Sequence, residues 1–219
     1  MSWIQTSRGR AFDLVNPDWK LVDFDEMADV LARIARFTGH IGGGPYSVAQ
    51  HSVVGADAVY EETGDRDAAG AFLLHDGHEY LLGDQSRPHQ AAEHQVAVEV
   101  FGKGTASQLA FVRRELKERA DKAIYLAAGF GEQGCPADYR DLVRTFDERM
   151  LVTERDQLLG PSPMPWVPSI ENAERIRMRG RLSIWTWTKA ADEFRARLSR
   201  YVPARSPAAC PAHRSTLEA

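Results

Sequence analysis

The chain has 219 residues, 43% of them hydrophobic and 26% charged, which is enough for one sizeable domain and excludes a disordered chain or two ordinary domains. The formal net charge of −4 does not favour nucleic-acid binding, which usually needs a basic face, and leaves room for a local basic pocket for a small phosphate. The two cysteines, Cys135 and Cys210, are too isolated to imply a disulfide framework or a zinc knuckle. Residues 1–22 read as irregular or short-stranded, with Gly9, Asn16 and Pro17 as breakers. A first helix is expected from Asp23 or Asp25, with Met27, Val30, Leu31, Ile34 and Phe37 as its apolar stripe. The run Gly42-Gly43-Gly44-Pro45 is a loop. Ser47 and Gln50 form a capping-box pattern that opens a second helix, running to about Glu62 and closed by Gly64. Asp65 caps a third, expected from Arg66 to about Leu82, and a loop follows from Gly83 to Pro88. Further helices are expected at 90–101, 106–128 and 138–159.

Gly160 to Pro168 is proline-rich and reads as a linker between a main domain, 1–159, and a C-terminal helical segment, 169–201, that packs back on the core. Residues 202–219 are rich in Pro, Ala, Arg and Ser and are expected to be a mobile tail. There is no strong strand alternation, so the expected class is all-α. The N-terminal residues lack the features of a signal peptide, and no apolar stretch approaches the ~20 residues of a membrane helix. The expected location is the cytoplasm, with no membrane partner.

The chemistry concentrates in a few side chains. His75 and Asp76 directly follow the apolar run Ala71-Phe72-Leu73-Leu74. Such a run carries its helix into the core, where a charge is costly unless a metal or a partner compensates it. His51 lies on the preceding helix and Asp121 on a later one. Two imidazoles and two carboxylates from three helices can hold one divalent ion and leave positions open for water and substrate. A His-Asp doublet alone is weak evidence, since most such pairs are ordinary salt-linked neighbours. Glu79 is four residues after His75 and three after Asp76, which on this helix puts all three side chains on one face. Gly83 can end that helix and turn Asp84 towards the same place.

The motifs Arg36-Phe37-Thr38-Gly39-His40, Tyr46-Ser47-Val48-Ala49-Gln50-His51-Ser52, Leu74-His75-Asp76-Gly77-His78-Glu79-Tyr80-Leu81-Leu82-Gly83-Asp84 and Ala120-Asp121-Lys122-Ala123 occur in that order. Together they resemble the HD-domain phosphohydrolases, and within them the bacterial 5′-deoxynucleotidases and phage dATP triphosphohydrolases. The resemblance covers roughly residues 1–130. It implies a helical bundle with one divalent metal (Mn, Co, Zn or Mg) held between helices by His51, His75, Asp76 and Asp121. It also implies Glu79 and Asp84 as catalytic carboxylates, Arg36 on the substrate phosphate and Phe37 near the nucleoside. The substrate implied is a deoxynucleotide, and the assembly a homodimer. The tryptophans at 185 and 187 offer apolar area for such a contact. One departure is Arg87-Pro88-His89-Gln90, which lacks the lysine that many relatives carry shortly after this point. Two other readings are an alarmone hydrolase of the same fold and a regulatory metal-binding module without catalysis.

Overall fold

The computed structural model describes residues 2–202. The chain starts with a two-stranded antiparallel hairpin, β1 (Trp3–Gln5) and β2 (Ala11–Asp13), in register Trp3 to Asp13, Ile4 to Phe12 and Gln5 to Ala11. Everything after it that has regular structure is helical, in an all-α bundle. Helix α1 (Phe24–Leu31) starts where Asp23 accepts hydrogen bonds from the backbone N–H groups of Asp25 and Glu26. It buries Phe24, Met27, Ala28 and Leu31.

The first helix is shorter than its apolar stripe suggests. After Leu31 the backbone pairs with the segment ahead of the next helix: Arg36 N–H donates to the Tyr46 carbonyl at 2.9 Å, and Val48 N–H to that of Ile34 at 3.1 Å. Phe37 and Thr38 then take φ of +55° and +53°, left-handed values that end any continuation of α1. Phe37 therefore lies in a tight turn rather than on the expected helical stripe.

Helix α2 (Val48–Thr63), capped by the Ser47 hydroxyl, is the centre of the bundle. It packs on α1, on α3 (Arg66–Leu73), on α7 (Ala137–Leu158) and on α9 (Trp187–Tyr201). Its approach to α3 needs Gly55, where a Cβ would come within 2.1 Å of the Phe72 ring. The third helix stops at Leu73, not near Leu82; a turn carries residues 74–78, and a single helical turn, α4 (Glu79–Leu82), follows. Helices α5 (Arg87–Phe101) and α6 (Lys103–Ala127) form a hairpin broken at Gly102, whose φ is +83°.

Past the proline-rich stretch, α8 (Pro168–Glu171) is one turn long, and α9 lies across α1, α2 and α3. Phe194, Leu198 and Tyr201 of α9 are buried, and Arg197 pairs with Asp57 of α2 at 2.7 Å. The C-terminal helix is thus part of the main core. Val202, placed in the tail by the sequence reading, is buried against that core; residues 203–219 of that tail lie outside the described ones. Trp185 packs on the core with Lys189 Nζ 4.7 Å from its ring centre, and Trp187 is stacked by Arg33 at 4.4 Å. Trp185 is engaged within the chain, whereas Trp187 stays about half exposed. Among the described residues, no helix is long and apolar enough to cross a membrane.

Candidate metal centre

His51 lies in the first turn of α2 and is fully buried. The His75-Asp76 doublet projects from the turn after α3, and the reason for that turn is visible in its hydrogen bonds. The Phe72 carbonyl accepts both the backbone N–H of His75, at 3.2 Å, and its ring Nδ1, at 2.6 Å. Gly77 N–H then donates to Leu74 at 2.9 Å, and Glu79 N–H to Asp76 at 3.0 Å, both three residues back rather than four. The His75 side chain occupies a carbonyl that would otherwise continue the helix, so the chain winds tighter and turns the doublet towards α2 and α7.

A carbonyl can only accept, so His75 Nδ1 carries the hydrogen and Nε2 is the position that takes a proton or a metal ion. His51 is fixed in the same sense: its Nδ1 lies 2.6 Å from Glu154 Oε1 on α7. The two Nε2 atoms face each other at 3.4 Å. Asp147 Oδ1 lies 3.5 Å from His51 Nε2 and 3.7 Å from His75 Nε2. Asp76 Oδ2 stands 3.2 Å from His75 Nε2 and 3.7 Å from His51 Nε2. Donors that share an ion at about 2.1 Å lie roughly 3.0–3.4 Å apart, close to this spacing. His51, His75 and Asp147 thus form a group that can hold a metal ion. Asp76, His78 and Glu79 form a second group of the same kind.

The electrostatics agree with the geometry. Burial opposes a charged His75, yet Asp76 and Asp147 override it and hold its pKa up at about 10. Burial also opposes ionised Asp147, but His75 brings it down to about 2. Asp76 stays well below the usual carboxylate range for the same reason, with His51 and Arg36 adding to His75. The centre therefore favours positive charge between these oxygens and nitrogens, whether a proton or a metal ion. Arg36 closes the far side. Its Nε and Nη2 lie 3.3 and 3.2 Å from Glu154 Oε2, and its Nη1 lies 3.2 Å from Asp76 Oδ2.

Glu79 and Asp84 sit beside this group. Burial, with Asp76 and Asp84 near, pushes the Glu79 carboxyl up to about 9, and its Oε2 is buried without a hydrogen-bond partner. Burial likewise raises Asp84, which follows the turn at Gly83. Because the helix breaks at Leu74, Glu79 reaches Asp76 through the turn and not along a continuous helical face.

The structure brings His51, His75 and Asp76 together, but Asp121 is not with them. Asp121 of α6 lies 3.2 Å from His78 Nδ1 and 3.2 Å from Lys117 Nζ, which also contacts the His75 carbonyl at 3.5 Å. The later-helix carboxylate that faces both imidazoles is Asp147. Arg36, expected on a substrate phosphate, has all three nitrogens on Glu154 and Asp76. Phe37 is half-buried, its ring centre 5.8 Å from the Arg36 guanidinium carbon. Asp147 and Glu154 escape the sequence reading, although a signal exists. Val143, Asp147, Met150 and Glu154 share one face of α7, so two acids occupy positions where the helical period calls for apolar residues. Two surface clefts, of about 510 Å³ beside Trp19 and about 590 Å³ beside Pro161 and Pro165, contain none of these side chains.

No family model matches the chain. It is 30% identical to an uncharacterized protein of Rhodobacter capsulatus over 163 residues, which are 73% of this chain and 74% of that one. That identity extends over most of both proteins, and the chain belongs to the family of this Rhodobacter capsulatus protein.

Proposed function

We propose that the chain is a metal-dependent phosphohydrolase of the HD-domain type, acting on deoxynucleotide phosphates. The observation that carries this is the convergence of two imidazole Nε2 atoms and two carboxylate oxygens beside a buried, unpartnered Glu79 oxygen. A structural site would be closed on all sides, whereas here an unused carboxylate lies next to the donors. The nucleotide part of the reading rests on the sequence resemblance.

His51, His75, Asp76 and Asp147 are the ligands we assign. Two nitrogen and two oxygen donors suit Mn, Co or Zn better than Mg, which prefers oxygen and water. A bound ion of this kind would polarise a phosphoryl oxygen and make a water acidic enough to attack. The protein's own groups do the rest. Glu154 and the Phe72 carbonyl hold both imidazoles with Nε2 inward. Arg36 holds Glu154 and Asp76 in place, so we assign it to positioning these carboxylates and not to the substrate. Glu79, whose protonated form burial favours, is the group we assign to give a proton to the leaving oxygen. Asp84, half-buried beside it, can accept the proton of the attacking water.

The test is a panel of deoxynucleoside mono- and triphosphates offered to the protein loaded in turn with Mn, Co, Zn and Mg, with products separated by chromatography. Metal-dependent release of phosphate or triphosphate is expected. Stoichiometric ion with no hydrolysis of any member of the panel would leave a metal-binding module instead.

A further inference from the structure

Arg36 cannot serve an incoming phosphate without abandoning Glu154, which is fully buried and would be left as a charge short of its cation. A phosphate bound there would need a cation on the open side of the site, and among the described residues Arg87 reaches it. It sits in the first turn of α5, ahead of Pro88, where the positive end of the helix dipole adds to its charge. Its side chain is 55% exposed, against 12% for Arg36. Nη2 donates to Asp147 Oδ2 at 3.0 Å, and the other oxygen of that carboxylate, Oδ1, is the one that faces His51 and His75. The guanidinium is therefore one carboxylate away from the place an ion would take. Its Nε and Nη1 have no partner among the described residues. Lys117, the other half-exposed cation nearby, is already engaged by Asp121, His78 and the His75 carbonyl.

We infer that Arg87 is the phosphate clamp of this site. Building on the proposed hydrolase reading, it takes two non-bridging oxygens of a terminal phosphoryl group through one fork, the remaining hydrogen of Nη2 together with Nε or Nη1. A planar fork of donors matches two oxygens of one phosphorus, which a terminal phosphate presents and an internal diester presents with half the charge. The clamp thus favours terminal phosphates over diesters. The alternative is that Arg87 only steadies Asp147. A half-exposed pair of that kind is worth little, so its loss alone would leave phosphate affinity unchanged.

The experiment uses full-length protein loaded with Mn, as wild type, Arg87→Ala and Arg87→Lys. Metal content is measured by elemental analysis, binding of inorganic phosphate by calorimetry, and turnover on p-nitrophenyl phosphate and bis-p-nitrophenyl phosphate. The expected result is retained metal and phosphate binding weaker by about tenfold or more in Arg87→Ala, with only part of it restored by lysine, a point charge without the fork. KM for the monoester should rise more than kcat falls. Equal phosphate affinity in wild type and Arg87→Ala overturns the clamp, as does a metal-loaded wild type that binds no phosphate. Loss of metal from Arg87→Ala also overturns it, in favour of a role in holding Asp147. Arg87-dependent phosphate binding without any turnover would retain the clamp and remove the hydrolase reading; turnover indifferent to Arg87 would do the reverse.

Discussion

The two sides of the candidate metal centre differ in how their polar atoms are satisfied. On the histidine side, both Nδ1 atoms have fixed acceptors, and Glu154 is shared between His51 and Arg36. On the Glu79 side, a buried carboxylate oxygen has no partner and the acid is pushed up to about 9. The protein's own groups satisfy the first side and leave one carboxylate oxygen of the second unpaired. The first arrangement can hold a cation in one geometry; the second has, in the proposed function, a group that exchanges a proton. The proposed hydrolysis needs both, and they come from different elements, α2, α7 and the turn after α3 for holding and the start of α4 for chemistry.

The largest effect should come from breaking the holding side at its centre. Asp147→Ala removes the carboxylate that faces both imidazoles, and Asp76→Ala and His75→Ala remove their own donors. Each should lose the ion and all turnover, beyond the ~10- to 100-fold that the loss of an outer partner costs. Helical content should stay close to wild type, because α2, α3, α7 and α9 pack through apolar side chains elsewhere. Elemental analysis and circular dichroism check both halves. An Asp147→Ala protein with stoichiometric metal would remove Asp147 from the ligand set.

Next in size is the chemical side. Glu79→Gln keeps the shape and the burial but not the proton. It should retain the ion and lose about a hundred- to ten-thousand-fold in kcat, the range for a positioned acid or base. Near-wild-type turnover, or a metal loss like that of Asp76→Ala, would mean that the two sides are not separate.

A smaller effect tests how the holding side is built. Glu154→Gln leaves a neutral acceptor near His51 but takes the charge from between His51 and Arg36. Ion affinity, read by competition with a chelator, should fall roughly 10- to 100-fold. Turnover at saturating metal should recover most of its value, because Glu154 lies behind His51 and away from the reacting atoms. If saturating metal restores nothing, Glu154 does more than orient the ring.

Much of the holding side was legible from local signals. Ser47 and Gln50 announce the start of α2, and His51 follows one turn in. The apolar run before His75 places the doublet in the core. Asp23 as the cap of α1 and the apolar face of α9 are equally local. What escaped depends on contacts distant in sequence. Nothing in Ala71 to Leu82 marks a break except Gly77, and the break is made by the His75 ring taking the Phe72 carbonyl in order to meet α2. The left-handed turn at Phe37 and Thr38 follows from pairing with residues 46–48, which no helical periodicity reports. Asp121 and Asp147 both lie on helices, and only the packing of α7 against α2 decides between them.

That choice gives the smallest and most discriminating prediction. Asp121 is nearly buried, and burial opposes its charge, yet His78 and Lys117 keep its pKa below the usual value. Its work is to hold Lys117, which in turn steadies the His75 carbonyl from outside the turn. Asp121→Asn preserves the volume and one oxygen but loses the charge that attracts both partners. The variant should keep its ion, with affinity within about threefold of wild type, because no donor at the centre has moved. Stability should fall by about 1 kcal/mol, the scale of one hydrogen-bonded pair, which for a chain of this size is roughly 2–4 °C in Tm. Calorimetric melting of the metal-free protein reads the second effect without the first. Loss of the ion from Asp121→Asn alongside full retention in Asp147→Ala would exchange the roles of α6 and α7, and would return the fourth ligand to the position that the sequence motif suggests.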